Sequence, residues 1–152
     1  MFAEIMKFAY KWEVGSAPNG GYTNDPDDPG GETKWGISAR ANPGVDIKNL
    51  TQEEANEIYK KKYWKDGWEK LGFPLAACLL DTSINMGMGR ALQFLERCEG
   101  DYVKFLQLRI AKYKDLITNN PTLKKYERGW MNRVTDLRRF VDAEKDNFSS
   151  NG

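Results

Sequence analysis

Two acidic side chains near the N-terminus are the main candidates for chemistry in this sequence. Glu13 follows Trp12 at the end of the first predicted helix, where apolar neighbours and the helix dipole both favour a neutral carboxylic acid. Asp28 lies in a loop rich in glycine and acidic residues. Hydrolysis of a glycosidic bond needs one carboxyl to protonate the leaving oxygen and another to activate water or stabilise the oxocarbenium-like centre. We therefore predict Glu13 as the proton donor, Asp28 as the second carboxylate and Thr33 as a residue that orients the water.

The absence of histidine narrows the alternatives. The 152 residues contain no His, which excludes Ser-His-Asp and Cys-His nucleophilic sites and the usual histidine-rich zinc sites. Cys78 and Cys98 form no CxxC motif, and we expect two buried free thiols, with a disulfide bridge as the open alternative. Any hydrolytic chemistry must therefore use carboxylates, hydroxyls, amides or lysine, and we predict that it needs no cofactor.

The acidic loop has one further interpretation, a calcium site. Residues 24–33 read Asn-Asp-Pro-Asp-Asp-Pro-Gly-Gly-Glu-Thr. The spacing of the acids differs from that of an EF-hand, and the prolines interrupt the alternation of ligands that such a loop needs. We therefore predict no metal site and assign Asp28 to catalysis.

A second pair of polar residues lies in an apolar segment. Asp81 and Asn85 are four residues apart, so on a helix they share one face. Either the pair is hydrogen-bonded internally and ties helices together, or it lines a polar cleft, and we predict that both residues bind sugar. Trp35 and Trp130 can stack on sugar rings or fill a core. We predict the first role for Trp35 and the second for Trp130.

Helices with one loop-rich insertion must position these residues. Apolar spacing predicts a first helix that ends near Glu13 and is terminated by Gly15. Residues 16–38 are too rich in Gly, Pro, Asn and Asp to be helical and predict turns with a short hairpin around 33–37. Further helices are expected at 51–63, 75–86, 90–98, 101–118 and beyond Pro121, with breaks at Gly87 and Gly89.

Three local signals mark where helices begin. Thr51 with Glu54 three residues later is a capping box, Pro74 suits a first helical turn, and Asp101 can cap the helix that follows it. The pattern as a whole predicts a mainly α fold with a small loop or β-hairpin lobe.

Length and composition predict one globular domain. A chain of 152 residues with 40% hydrophobic residues can bury a single core, and no stretch approaches the roughly 18 apolar residues of a membrane span. The first residues lack the basic and apolar regions of a signal peptide, so none is expected. The polar residues 147–152 predict a flexible tail.

Charge is unevenly distributed along the chain. Residues 1–40 hold four Lys/Arg against six Asp/Glu, whereas residues 101–140 hold ten against four, and the net charge is +1. This asymmetry indicates an anionic polymer as partner, unless the basic residues form an ordinary solvated helix surface. The near-neutral total and the lack of a recognised motif argue against nucleic acid.

Three stretches of the sequence carry a more specific pattern. The first is Glu13-Val14-Gly15 followed by residues 21–38, which include an Asp-Pro-Gly-Gly-x-Thr-x-x-Gly-Ile core. The others are residues 80–87, Leu-Asp-Thr-Ser-Ile-Asn-Met-Gly, and residues 128–134, Arg-Gly-Trp-Met-Asn-Arg-Val. Together they resemble the glycoside hydrolase family 108 muramidases, lysozyme-superfamily enzymes found mostly as phage endolysins. Val14 replaces the family's usual glycine, and residues 16–20 look like an insertion that lengthens the loop beside the acid.

The resemblance implies a lysozyme-like fold and cleavage of the β-1,4 bond between N-acetylmuramic acid and N-acetylglucosamine in bacterial peptidoglycan. Through it Glu13 matches the family's catalytic glutamate, and Tyr22 joins the substrate-binding residues. Residues 1–70 would form a catalytic lobe and residues 71–146 a helical peptidoglycan-binding lobe of one monomeric protein. An endolysin without a signal peptide would accumulate in the host cytoplasm before release to the wall, whereas a toxin would reach the periplasm through a secretion machine.

Three alternatives to a muramidase stay open. A lytic transglycosylase would use the same Glu13 but form a 1,6-anhydro product without water. A chitinase-like enzyme would cleave a related polymer. A non-catalytic wall-binding module is the third, and the intact Glu13 and Asp28 argue against it.

Overall fold

The computed structural model describes residues 1–149 as a mainly α-helical chain with one small hairpin. The helices are α1 (Phe2–Glu13), α2 (Gln52–Tyr63), α3 (Phe73–Met86), α4 (Met88–Arg97), α5 (Tyr102–Asn119) and α6 (Glu127–Ser149). Strands β1 (Thr33–Lys34) and β2 (Ile37–Ser38) pair antiparallel, with Thr33 opposite Ser38. The predicted mainly α fold class with a small hairpin is confirmed. Over the described range, no helix combines the length and apolarity needed to cross a membrane.

The chain divides into two compact units, an N-terminal unit of residues 2–62 and a helical unit from residue 63 onwards together with Met1. This division falls before residue 70, where the sequence predicts the end of a catalytic lobe. Residues 147–149 of the predicted tail continue α6, and residues 150–152 lie outside the described residues.

The first helix of the N-terminal unit ends as its sequence predicts. The amides of Val14 and Gly15 both donate to the Tyr10 carbonyl, at 2.8 and 3.1 Å, and Gly15 has a left-handed backbone with φ +71°. Such a residue satisfies the last carbonyls of a helix and turns the chain away. The buried face of α1 comprises Ile5, Met6, Phe8, Ala9 and Tyr10.

The loop that follows is irregular, and α2 begins at the predicted capping box. A short 3-10 turn occupies Asn19–Gly21, which the sequence did not predict. The Glu54 amide donates to Thr51 Oγ1 and the Thr51 amide donates to Glu54 Oε1, both at 3.1 Å. These reciprocal bonds satisfy backbone groups that the first turn of a helix leaves unpaired.

The helical unit is built around α3, whose residues from Phe73 to Ser83 are nearly all buried. Pro74 lies in its first turn, as predicted. The prediction that Gly89 interrupts the helix is wrong, because α4 already begins at Met88. Gly87 alone, with φ +95°, separates α3 from α4. Cys78 and Cys98 are free and buried, as expected.

The last two helices follow their predicted caps with one difference. Asp101 caps α5 by accepting from the Val103 amide at 2.8 Å. A 3-10 turn over Pro121–Tyr126 precedes α6, so the prediction of one continuous helix after Pro121 is wrong for these residues. The apolar stripe of α6 is buried from Val134 onwards, together with Leu137 and Val141.

Candidate active site

Glu13 is the last residue of α1, and its side chain is exposed. The expectation that apolar neighbours enclose it is therefore wrong. Its β-carbon nevertheless packs on the hairpin turn, since a β-carbon added to Gly36 would lie 3.5 Å from it. The negative end of the α1 dipole remains beside this carboxyl, which lies within reach of a large external substrate.

The hairpin turn next to Glu13 has an unusual backbone. Trp35 and Gly36 both have left-handed φ values, +55° and +74°, which is the geometry of a tight two-residue hairpin turn. A non-glycine residue in this region is uncommon and persists only where its surroundings hold it. A β-carbon on Gly36 would also collide with the Tyr59 hydroxyl, so glycine is required there.

Hydrogen bonds hold Trp35 in this conformation from three directions. Its amide donates to the Gly20 carbonyl at 2.8 Å, and its carbonyl accepts from the Tyr59 hydroxyl at 2.7 Å. Its indole N–H donates to the Leu50 carbonyl at 3.1 Å. The indole also lies against Gly20, where an added β-carbon would come within 2.8 Å of the ring. The turn that packs on Glu13 is therefore fixed by residues throughout the N-terminal unit.

Asp28 caps a turn in the exposed loop. Its Oδ1 accepts from the Gly30 amide at 2.8 Å, and its carbonyl accepts from the Gly31 amide at 3.0 Å. Thr33 is half-buried and exchanges two backbone hydrogen bonds of 2.9 Å with Thr23. Across residues 1–149, no group of three or more His, Cys, Asp or Glu side chains is arranged to hold a metal ion.

The loop also contains an acid that the sequence reasoning missed. The Tyr22 hydroxyl donates to Glu32 Oε2 at 2.6 Å, and this hydrogen bond to a carboxylate raises the pKa of Tyr22. Both side chains are half-buried. Glu32 lies directly before Thr33, inside the Gly-Gly-x-Thr segment of the family-like motif, but nothing in that segment distinguished it from the neighbouring acids.

A groove of about 600 Å³ opens in the N-terminal unit next to the end of α1. Val14 and Gly15, the two residues after Glu13, line it, although Glu13 itself does not. Trp35 and Tyr10 supply aromatic surface, and the basic residues Lys7 and Lys11 also line it. Aromatic walls with a few charged groups are typical of sites that bind sugars or other small polar ligands.

Asp81, by contrast, belongs to an ion cluster in the interior of the helical unit. It is fully buried, and its carboxylate accepts from Arg109 Nη1 and from Arg133 Nη2, both at 2.8 Å. Burial opposes ionisation, but the two guanidinium charges together lower the pKa of Asp81. This is the internal network that the sequence left open as an alternative, and it leaves the Asp81 carboxylate turned toward arginines instead of a sugar.

Asn85 lies at the edge of the same cluster. Its Oδ1 accepts from the Tyr113 hydroxyl, which in turn accepts from Arg109 Nε at 3.0 Å. The Tyr113 ring stacks on Trp130, which is half-buried and thus part core and part surface. The four-residue spacing correctly placed Asp81 and Asn85 on one network, but it gave no sign of Arg109.

Residues 11–87 match the sequence model of the family described as glycosyl hydrolase 108, and the chain therefore belongs to this family. Membership makes it a glycoside hydrolase and, at family level, supports an enzyme that acts on peptidoglycan. No curated protein matches the chain. A solved structure titled "Structure of Brucella abortus SagA" is similar with a TM-score of 0.66 and 24% identity, over 93% of this chain and 94% of that one. At that identity the likeness shows the fold alone.

Proposed function

We propose that this chain hydrolyses the β-1,4 bond between N-acetylmuramic acid and N-acetylglucosamine in peptidoglycan, with Glu13 as the general acid. The observation that carries the proposal is the family match, which starts two residues before Glu13 and includes the hairpin turn on which Glu13 packs. Exposure of the carboxyl at the end of α1 suits an acid that must meet the glycosidic oxygen of a long polymer.

Glu13 transfers its proton to the leaving oxygen as the bond to the anomeric carbon breaks, and an oxocarbenium-like centre develops. Asp28 is the candidate for the second carboxylate because only its Oδ1 is used in the turn, at the Gly30 amide. Thr33 is the candidate for orienting the water. The attacking water supplies the hydroxyl of the new reducing end, and its proton goes to the basic carboxylate.

Binding of the glycan is divided between the two units in this proposal. Tyr22 and Trp35 contact sugar in the N-terminal unit, and the groove beside Val14 provides the space. Residues 71–146 hold the wall through Asn85 and through basic side chains attracted to anionic wall material, so salt weakens the hold. The basic surplus of residues 101–140 is smaller at the surface than in the sequence, because Arg109 and Arg133 are buried.

The test is a turbidity assay on purified peptidoglycan. We expect Glu13→Gln to lose at least about 10²-fold in activity, the scale of general acid catalysis, with its circular dichroism unchanged. Glu4→Gln is the matched control, since it makes the same change at the other, exposed end of α1 and should keep full activity. Full activity of Glu13→Gln would remove the assignment.

The second carboxylate is tested by another matched pair. Asp28 and Asp25 each accept a backbone amide two residues later, which an asparagine can also do. We therefore expect Asp28→Asn to lose activity through its missing charge and Asp25→Asn to keep it. Mass spectrometry of the products separates hydrolysis from transglycosylation, because only the latter gives 1,6-anhydro ends, and turnover of chitin oligomers without peptidoglycan cleavage would favour the chitinase-like alternative.

A bacteriolytic endolysin is the physiological role we propose, on the strength of the phage-type motif alone. Such an enzyme accumulates in the host cytoplasm and lyses the cell only after another protein opens the membrane. Expression in bacteria with and without a membrane-permeabilising protein tests this role. Lysis only with permeabilisation is the expected result, and intact cells in both cases would contradict it.

A further inference from the structure

Two buried neighbours, Arg109 and Tyr113, set the orientation of the Asn85 side-chain amide. Arg109 is fully buried and donates through Nε to the Tyr113 hydroxyl oxygen. A guanidinium has donors only, so the tyrosine oxygen accepts there, and its single proton goes to Asn85 Oδ1. Asn85 Oδ1 is therefore the atom that faces the interior, where it accepts the hydrogen bond from Tyr113.

The nitrogen end of the same amide is available to a ligand. Over residues 1–149, Asn85 Nδ2 donates to no other residue, and the side chain is half-buried. Because an amide nitrogen carries two N–H donors and no acceptor, this position offers donors only. A ligand group that faces it must accept hydrogen bonds.

A row of three aromatic rings begins at Tyr113, the hydrogen-bond partner of the Asn85 amide. Tyr113 and Trp130 stack with centroids 4.7 Å apart and planes 15° apart, and Trp130 stacks on Tyr126 at 5.7 Å. Tyr113 is buried and Tyr126 is 48% exposed, so the three rings lead from the core to the surface. An aromatic surface with one oriented polar group matches a sugar ring that carries an amide substituent.

We infer that Asn85 is a specificity-determining residue that donates through Nδ2 to the acetamido carbonyl oxygen of an N-acetyl sugar, with Trp130 and Tyr126 packing beside the sugar. The inference rests on the proposed function, since both sugars of the peptidoglycan glycan carry an acetamido group. A carbonyl oxygen accepts and never donates, which is the complement of a donor-only site. Arg109 and Tyr113 are positioning residues, because they prevent the rotation of the amide that would exchange Oδ1 and Nδ2.

Binding measurements on a Glu13→Gln background test this without any turnover. The probes are the tetramer of N-acetylglucosamine and its de-N-acetylated counterpart, titrated by calorimetry. We expect the acetylated probe to bind at least about tenfold more tightly than the de-N-acetylated one. Asn85→Asp should reduce this affinity ratio at least about tenfold, because its second carboxylate oxygen would face the acetamido carbonyl oxygen, and neither can donate. The other carboxylate oxygen can still accept from Tyr113. Asn56→Asp is the matched control, since Asn56 Oδ1 likewise accepts from a tyrosine hydroxyl, that of Tyr10.

NMR of the side-chain amides gives a second readout that a merely structural role would not move. The Asn85 Nδ2 protons should shift on saturation with the acetylated tetramer, and Tyr113→Phe should weaken both the shift and the preference for the acetylated probe. Failure of the tetramer to bind, binding with the Asn85 amide unshifted, or an unchanged ratio in Asn85→Asp would overturn the inference. None of these results bears on Glu13, whose assignment stands or falls on cleavage alone.

Discussion

The two units of the chain hold their polar residues in opposite ways. In the N-terminal unit, Glu13 and Asp28 are exposed, and Asp28 accepts hydrogen bonds from the backbone amides of Gly30 and Gly31 within its own turn. In the helical unit, Asp81 and Arg109 are fully buried and are held by side-chain hydrogen bonds between helices. The two candidate acids of the N-terminal unit are thus open to solvent, whereas Asp81 of the helical unit is enclosed completely.

The comparison separates two uses of charge. An exposed carboxyl keeps its hydration and can exchange protons with a substrate. A buried ion pair loses its hydration, and the attraction and hydrogen bonds between its members must offset that large cost. What the buried cluster contributes is direction, because Arg109 determines which way Tyr113 and Asn85 form their hydrogen bonds. Stability of the helical unit and orientation of Asn85 therefore depend on the same residues.

Removal of the buried acid should have the largest effect. Asp81→Ala leaves Arg109 and Arg133 without their counter-charge in the interior, and we expect the free energy of unfolding to fall by about 3–5 kcal/mol. Denaturant titration measures the loss, and hydrogen exchange should locate it in α3, α5 and α6. A loss below about 1 kcal/mol would show that the cluster contributes little.

The pH dependence of stability tests the same ion cluster. The pKa of Asp81 is lowered in the folded state, so its contribution to stability is present above the unfolded value of about 4 and is lost as the pH falls through the lower folded value. The stability difference between the wild type and Asp81→Asn should therefore shrink at acidic pH. A difference that stays constant from pH 7 to pH 2 would contradict this linkage.

A glycine substitution should break the N-terminal unit by a different mechanism. Gly36→Ala places a side chain at φ +74° and forces its β-carbon onto the Tyr59 hydroxyl, so we expect a loss of about 2 kcal/mol or more together with reduced peptidoglycan cleavage. Gly44→Ala is the control, because its φ of +86° carries the same backbone strain with no atom within 4 Å. Equal effects of the two variants would mean that contact with Tyr59 is unimportant.

The smallest effect is expected for an exposed acid on α6. Asp142 accepts from the Tyr102 hydroxyl at 2.6 Å and from Arg138 Nε at 2.8 Å, but all of this lies at the surface. Asp142→Ala should cost less than about 1 kcal/mol in denaturant titration, well below Asp81→Ala. A loss equal to that of Asp81→Ala would refute the contrast between buried and exposed acids.

Local signals in the sequence were reliable where the physical cause is also local. The end of α1 at Gly15, the Thr51–Glu54 capping box and the Asp101 cap all depend on residues within a few positions, and all were confirmed. The 3-10 turn at Pro121–Tyr126 was missed because helical spacing of apolar residues does not distinguish it from the first turns of a longer helix.

The candidate site was less predictable than the helices. The residue types of Glu13, Asp28 and Thr33 and the family motif around them are visible in the sequence, and their catalytic roles remain predictions. The exposure of Glu13 was not foreseen, since its neighbours along the chain are apolar but its surroundings in space depend on the hairpin turn at Gly36.

The amino-acid sequence alone excluded histidine-dependent chemistry, because the chain has no histidine, and it predicted a mainly helical fold with one irregular loop. The tertiary arrangement was needed to turn Asp81 from a candidate sugar ligand into an interior ion. Its partners Arg109 and Arg133 lie 28 and 52 positions away, and no periodic pattern carries information over that distance. Short-range preferences fix the helices, whereas the packing of distant helices determines which polar groups meet each other and which remain for a ligand.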